Sequence, residues 1–163
     1  MAPTASTTAA LALGDALAVA LLDARGFGPD DFARSHPGGS LGRRLLTHVR
    51  DVMRSGDDVP TVGPLTGVSD AILAMSRGGL GLVAVVGDAG RVLGIFTDGD
   101  LRRAFEKRID LQSARIDSVM HANPRTIAPD RLAVEAVEMM ERYRINALLV
   151  ADADGRLLGA LNM

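Results

Sequence analysis

The segment at residues 82–96 reads Leu-Val-Ala-Val-Val-Gly-Asp-Ala-Gly-Arg-Val-Leu-Gly-Ile-Phe, and it recurs in altered form later in this chain of 163 residues. About 65 residues later, at 147–161, the chain reads Ala-Leu-Leu-Val-Ala-Asp-Ala-Asp-Gly-Arg-Leu-Leu-Gly-Ala-Leu. Each segment has the pattern of a strand, a turn rich in Gly and Asp, and a second strand. The chain therefore contains an internal repeat, and two copies of one unit decide its fold.

Each pair of strands is preceded by a helical pattern. In the first copy the helix runs from Thr66 onward, and in the second it runs from about Asp130, a plausible N-cap, to Arg142. Short lead-in segments at 51–53 and 117–120 complete the two copies. One such unit is too small to bury its own apolar faces, so we expect the copies to pack together.

The local motifs of both copies resemble those of paired CBS domains. The resemblance rests on Asp51-Val52-Met53, on Ser118-Val119-Met120 and on Gly94-Ile95-Phe96-Thr97-Asp98-Gly99-Asp100-Leu101, and it covers about residues 49–163. It implies an α/β (α+β) fold, a tandem CBS pair of two β-α-β-β-α-type units packed by pseudo-twofold symmetry. We expect the first CBS domain at 47–110 and the second, truncated at its C-terminal end, at 111–163.

Residues 1–46 belong to neither copy. They contain an Ala/Leu-rich helix from about Thr8 to Ala24 that is apolar on most sides, as expected of a helix taken from a larger core. The strings Ala-Pro-Thr-Ala-Ser-Thr-Thr at 2–8 and Ser-His-Pro-Gly-Gly-Ser-Leu-Gly at 35–42 resemble the closing segments of the sugar isomerase (SIS) domain of bacterial D-arabinose 5-phosphate isomerases. In that family a CBS pair follows directly.

This second resemblance implies a catalytic role for His36 in an aldose-ketose isomerase site. The parent protein would interconvert D-arabinose 5-phosphate and D-ribulose 5-phosphate for 3-deoxy-D-manno-octulosonate synthesis. Such a proton transfer needs a base, an acid and a phosphate anchor, and one histidine does not supply all three. We therefore expect the chain by itself to be inactive as an enzyme.

The strand-to-helix junction at 94–100 is the most informative candidate ligand site. A helix that begins near Asp98 presents free amides, which together with the Thr97 hydroxyl could hold a phosphate. Asp100 could accept hydrogen bonds from two ribose hydroxyls. The alternative is purely structural, with Asp98 as an N-cap and Gly99 as a turn residue.

The resemblance to CBS domains implies that four further polar residues face a nucleotide in the same cleft. Two of them, Thr61 and Thr126, follow the lead-ins, and two, Arg144 and Asn146, lie at the start of a strand of the second copy. Arg144 and Asn146 have only Gly79 and Gly81 as counterparts in the first copy, so the two clefts are not expected to bind equally. The predicted ligand-binding residues are Thr61, Thr97, Asp98, Asp100, Thr126, Arg144 and Asn146.

Composition excludes several classes of function. The net charge of −2 has no block of like charges, which argues against nucleic acid, and the absence of cysteine excludes disulfides and thiolate metal sites. His48 and His121 have no second ligand at metal spacing. The apolar run 9–22 is interrupted by Gly14 and Asp15 and is interpreted as too short for a membrane span or signal peptide, so we expect a cytoplasmic protein that does not contact membranes.

Two hypotheses about the CBS pair stay open. In the first, it senses a nucleotide or nucleotide sugar, such as AMP, ATP, CMP or CMP-3-deoxy-D-manno-octulosonate, and has no other cofactor. In the second, it is an architectural module that only dimerises. Either hypothesis predicts self-association, as a homodimer of this chain and a homotetramer of the parent.

Overall fold

The computed structural model describes residues 4–28, 31 and 47–163. The chain divides into two units, Met1–Leu46 and Thr47–Met163. The described part of the first unit is mainly helix α1, Thr4–Ala24, whose residues are all exposed. Helix α1 begins four residues before the predicted start at Thr8, and the hydroxyls of Thr7 and Thr8 donate to the Thr4 carbonyl at 3.0 and 2.9 Å, as Thr can do inside a helix.

The apolar run 9–22 was interpreted as too short to span a membrane, but helix α1 is longer than this run. Its 21 residues are long and apolar enough to cross a membrane by length and composition alone. The core helix of a larger protein meets the same criteria, so the helix does not by itself distinguish these environments.

The second unit contains the two copies of the repeat, with the elements in the predicted order. The lead-in and first copy comprise α2 (Val49–Val52), β1 (Arg54–Ser55), β2 (Thr61–Val62), α3 (Val68–Gly78), β3 (Leu82–Val86), β4 (Val92–Thr97) and α4 (Asp98–Glu106). The second lead-in and copy comprise β5 (His121–Ala122), β6 (Thr126–Ile127), α5 (Ala133–Tyr143), β7 (Ala147–Ala151) and β8 (Leu157–Asn162).

The strands form two four-stranded sheets, ordered β2-β3-β4-β5 and β1-β8-β7-β6. In each sheet a long antiparallel hairpin is flanked by a short parallel strand, β2 on β3 or β6 on β7. Thr61 pairs with Ala84 in the first sheet, and Thr126 pairs with Leu149 in the second. The two registers differ by the same shift as the sequence repeat, which is therefore confirmed.

One outer strand of each sheet comes from the residues that directly follow the lead-in of the other copy. Strand β1 pairs with β8, and strand β5 pairs with β4, both antiparallel. Two fully buried residues follow the same exchange, since Val49 packs in the core of the second copy and Ile116 in the core of the first. The two exchanged strands directly follow the lead-ins at 51–53 and 117–120, and the sequence pattern did not predict their exchange.

A third apolar cluster joins the copies. Leu82, Ala84 and Ile95 of the first copy pack there with Leu149 and Ala160 of the second. The two copies thus share one buried seam as well as two exchanged strands, so neither has a complete core alone.

Helix α5 begins at Ala133, and the prediction that Asp130 is its N-cap was wrong. Residues 129–130 form a turn and Leu132 is extended. Residues 47–49 hold this segment, because the Val49 amide donates to the Arg131 carbonyl at 2.8 Å and the Ala133 amide donates to the Thr47 carbonyl at 2.7 Å. The helix can start only after this pairing ends, with Leu132 as its N-cap. A contact remote in sequence therefore overrides the local capping signal.

Candidate ligand-binding site

A cavity of about 880 Å³ is lined by equivalent segments of the two copies. The loops that follow α3 and α5 contribute 79–81 and 144–147, and the ends of β4 and β8 contribute 97–100 and 162–163. Equivalent hydrogen bonds hold both halves: the Asp98 amide donates to the Gly81 carbonyl at 3.1 Å, and the Met163 amide donates to the Asn146 carbonyl at 3.0 Å. Sequence analysis expected two unequal clefts, and the structure joins their residues around one cavity.

The first copy presents a helix N-terminus to this cavity. Thr97 is the N-cap of α4, and its Oγ1 accepts from the Asp100 amide at 3.4 Å, while the Asp100 carboxylate accepts from the Thr97 amide at 2.9 Å. This reciprocal capping box satisfies two donors at the helix start. The structural alternative named Asp98 as the cap, and the structure gives that role to Thr97.

Asp100 is buried, with 8% of its surface exposed, and it is already engaged. Its Oδ2 accepts from the Thr97 amide and from the Thr97 hydroxyl at 2.6 Å, and its Oδ1 accepts from the Arg103 guanidinium at 2.7 Å. Each carboxylate oxygen can accept about two hydrogen bonds, so Oδ1 retains the capacity for one more. Asp100 can therefore accept one ligand hydroxyl without giving up its contacts in the protein.

The amide of Gly99 adds a donor at the same place. It lies in the first turn of α4, where backbone N–H groups have no carbonyl acceptor within the helix. Arg103 lies next to it, since a Cβ built on Gly99 would be 3.4 Å from the nearer guanidinium nitrogen. An amide and a guanidinium side by side suit an anionic group.

The second copy supplies the cationic and aromatic part of the lining. The guanidinium carbon of Arg125 lies 3.5 Å from the centroid of the Tyr143 ring, and Arg144, His121 and Asn146 line the same cavity. The predicted set of ligand-binding residues does not include Arg103, Arg125 or Tyr143. Arg125 and Tyr143 align with Pro60 and Gly78 of the first copy, and no motif in the sequence connects the two positions.

The structure brings together five of the seven predicted ligand-binding residues. These five line the cavity: Thr97, Asp98, Asp100, Arg144 and Asn146. Thr61 lines a smaller cavity of about 260 Å³ with Val86 and Leu157, and Thr126 is exposed on β6 and lines neither of these two cavities.

The strand register explains why Thr61 lies apart. Thr61 pairs with Ala84 in the middle of β3, whereas Thr97 pairs with Leu82 at its first residue. The two threonines are thus offset by two residues, about 6–7 Å, along the sheet. The same offset separates Thr126 from Asn162 in the second copy.

His36, the predicted catalytic residue, lies outside the described residues. Within the described ranges there is no group of three or more His, Cys, Asp or Glu side chains that could hold a metal ion.

Two symmetric copies that exchange edge strands and line a common polar cavity define a tandem CBS pair. The CBS domain family matches residues 49–107 and 116–163, and the chain belongs to that family. The predicted α/β fold class, two CBS units packed around a pseudo-twofold axis, is confirmed.

Curated relatives narrow the resemblance. The chain is 53% identical over 163 residues to the arabinose 5-phosphate isomerase KdsD of Pseudomonas aeruginosa, an alignment that covers all of this chain and 50% of that protein. It is 53% identical to the KdsD of Yersinia pestis and 49% identical to that of Escherichia coli K12, covering all of this chain and 49% of each. The predicted similarity to arabinose 5-phosphate isomerases is confirmed, and the chain spans about half the length of these relatives.

Solved structures agree on the fold. A CBS domain protein from Pyrobaculum aerophilum complexed with AMP has a TM-score of 0.64 and 19% identity, with 71% of this chain and 86% of that one covered. A CBS domain pair in complex with 5-methylthioadenosine and S-adenosyl-L-methionine has a TM-score of 0.64 and 21% identity, with coverage of 71% and 89%.

Proposed function

We propose that this chain is the regulatory part of a larger sugar-phosphate isomerase and that the cavity between its copies binds a nucleotide or nucleotide sugar. The observation that carries the proposal is the cavity itself, which both copies build and which five of the seven predicted ligand residues line. Its volume of about 880 Å³ falls within the range of about 300–1,000 Å³ typical of small-molecule sites.

The contacts around α4 indicate how such a ligand would bind. A sugar hydroxyl would donate to Oδ1 of Asp100, and a phosphate would accept from the Gly99 amide and the Arg103 guanidinium. The helix dipole of α4 favours an anion at the same point. These groups would bind a sugar hydroxyl and a phosphate at the same time. A sugar and a phosphate are shared by the candidate ligands AMP, ATP, CMP and CMP-3-deoxy-D-manno-octulosonate.

The comparisons support this class of ligand. Two proteins with the same fold are described in complex with adenosine derivatives, AMP in one and 5-methylthioadenosine with S-adenosyl-L-methionine in the other. Their sequences are too different from this chain to transfer the ligand itself.

Calorimetric titration and thermal unfolding of the whole chain with the four candidates test the proposal. A ligand present at about 100 times its dissociation constant adds about 2.7 kcal/mol of stability. Asp100→Asn is expected to remove the shift in melting temperature. Asp117→Asn is the matched control, because Asp117 also pairs with an arginine, Arg115, but does not line the cavity. No shift with any candidate would exclude the sensor function.

The parent activity is a separate part of the proposal. The relatives are named as arabinose 5-phosphate isomerases, and residues 1–46 are proposed to be the end of their SIS domain, with His36 contributing to its catalytic site. The protein would then act in the cytoplasm on phosphorylated pentoses. This chain alone is expected to show no conversion of D-arabinose 5-phosphate to D-ribulose 5-phosphate, and measurable turnover in a coupled assay would contradict the proposal.

An architectural role is the second candidate, and one observation favours it. Thr97 and Asp100 hydrogen-bond to each other and Asp100 also accepts from Arg103, so helix capping alone can account for both residues. This candidate predicts a homodimer in light scattering that forms without nucleotide and is unchanged by Asp100→Ala. A dimer that forms only when a nucleotide is added would contradict it.

A further inference from the structure

The two copies hold different residues at one repeated contact. In the first copy Pro60 packs on Gly78 so closely that a Cβ built on Gly78 would lie 2.6 Å from Cγ of the proline. The equivalent positions in the second copy hold Arg125 and Tyr143, which are again in contact. The fold thus brings these two positions together in both copies, but only the second copy uses them to place a cation and an aromatic ring at the cavity.

Arg144 shows a similar replacement at the next position. It adopts the left-handed conformation with a φ of 53°, and the equivalent residue of the first copy is Gly79, with a φ of 63°. Glycine adopts this conformation freely, whereas a residue with a Cβ is strained in it. Strain of this kind persists mainly where the side chain is needed, so the arginine points to a function at this position.

The two arginines on the second-copy side of the cavity, Arg125 and Arg144, have no ion-pair partners among the described residues. Neither Arg125 nor Arg144 forms an ion pair with a described carboxylate, whereas Arg103 is paired with Asp100. The two acidic side chains that line the cavity, Asp98 and Asp100, both belong to α4 of the first copy. Arg125 and Arg144 are exposed and line the cavity, so the second-copy side presents two cations that have no carboxylate side chain ion-paired with them among the described residues.

We propose that Arg125 and Arg144 form a second anion subsite, so that the ligand carries an anionic group in addition to the phosphate near α4. Tyr143 holds the Arg125 guanidinium in position by stacking. The favoured ligands are then nucleotide polyphosphates and nucleotide-linked sugar acids, and mononucleotides bind more weakly. This inference rests on the proposed function and names the class of ligand for the same cavity.

Calorimetric titration with two matched pairs of probes tests the proposal. The pairs are AMP with ATP, and CMP with a CMP-linked sugar acid. The wild-type chain is expected to bind the more anionic member of at least one pair about tenfold more tightly, as for one additional charge-assisted contact. A preference for ATP identifies a polyphosphate ligand, and a preference for the CMP-linked probe identifies a sugar acid.

Three variants assign the preference to the subsite. Arg125→Gln and Arg144→Gln are expected to bring the affinities within each pair to within about twofold, with little effect on the weaker ligand. Arg142→Gln is the matched control, because Arg142 lies 5.6 Å from the same Tyr143 ring but does not line the cavity. It should leave the preference unchanged.

The outcomes separate this inference from the proposed function. Equal affinities within both pairs, or an equal loss of preference in Arg142→Gln and Arg125→Gln, would overturn the second anion subsite while nucleotide binding stands. Absence of binding for all four probes would overturn both.

Discussion

The guanidinium of Arg125 stacks on Tyr143 at 3.5 Å, at the two positions where the first copy packs Pro60 on Gly78. One backbone arrangement thus supports two different surfaces. The first copy uses the contact only for close packing, since it leaves no room for a side chain at Gly78. In the second copy the same contact holds the Arg125 guanidinium in place at the cavity. The backbones of the two copies are therefore related by pseudo-twofold symmetry, but the side chains at these positions are not.

The exchanged edge strands surround two equivalent glycines, Gly94 and Gly159, with different atoms, so we expect substitutions there to differ in their cost to stability. A Cβ at Gly159 would lie 2.5 Å from the carbonyl oxygen of Arg54, which belongs to the backbone of β1, whereas a Cβ at Gly94 would meet the side chain of Met120. Methionine can change rotamer, but β1 cannot move without losing its pairing with β8. We expect Gly159→Ala to lower the free energy of unfolding by about 3 kcal/mol and Gly94→Ala by about 1 kcal/mol.

Urea denaturation of both variants measures this difference. Because the two glycines are equivalent in the repeat and both lie in buried strands, each serves as the control for the other. Equal losses of stability would show that the β1–β8 pairing is as adaptable as a methionine side chain.

The hairpins could be predicted from the sequence because residues that are adjacent in the chain determine both their strands and their turns. Strands Leu82–Val86 and Ala147–Ala151 lie in the segments 82–96 and 147–161 that were predicted to form a strand, a turn and a strand, because apolar runs next to Gly-containing turns favour this structure. The exchange of β1 and β5 was not predictable in this way. Which sheet a strand of two residues joins is decided by the packing of Val49 and Ile116 in the opposite copy, and that contact leaves no local signal.

The site was predictable to the extent that it follows a continuous motif. Thr97 and Asp100 lie within one strand-to-helix segment, and the structure places both at the cavity. Arg125 and Tyr143 are far apart in sequence and form no motif, so only the fold shows that they meet. Thr61 was included in the predicted site by resemblance to the CBS family, and the register of β2 places it at another cavity.

Asp100 is expected to stabilise the fold even without a ligand. Asp100→Asn keeps an acceptor for the Thr97 amide but removes the charge that faces Arg103 and one of the oxygens that accept hydrogen bonds. We expect a loss of about 1–2 kcal/mol in urea denaturation, the usual range for a lost cap or charge-assisted hydrogen bond.

The exposed ion pair of Arg115 with Asp117 provides the comparison. Asp117→Asn removes a similar charge pair at the surface, and it should change stability by less than about 0.5 kcal/mol. Equal effects of the two variants would mean that burial of Asp100 does not strengthen its contacts.

The conformation of Arg144 predicts an unusual order of stability. At this left-handed position Arg144→Gly should be more stable than Arg144→Ala by about 1 kcal/mol, because glycine has no Cβ to strain. At Arg142, in the last turn of α5, the order should reverse by about 0.5 kcal/mol, since alanine has a higher helix propensity than glycine. Thermal or urea unfolding of the four variants checks both orders, and alanine above glycine at both sites would contradict the strain at Arg144.

The pKa of Asp110 lies below its ordinary value, chiefly because the Ser113 hydroxyl donates a hydrogen bond to the carboxylate at 2.7 Å, with the Gln112 amide adding a second at 3.1 Å. A carboxyl whose pKa is lowered by folding stabilises the fold above its unfolded pKa, and this contribution is lost as the pH falls through the folded value. We expect Ser113→Ala to raise the pKa of Asp110 towards its ordinary value in an NMR titration. Ser118→Ala is the control, because the Ser118 hydroxyl donates to the Arg115 carbonyl, and it should leave the titration of Asp110 unchanged. An unchanged Asp110 titration in Ser113→Ala would mean that the backbone amides alone lower the pKa.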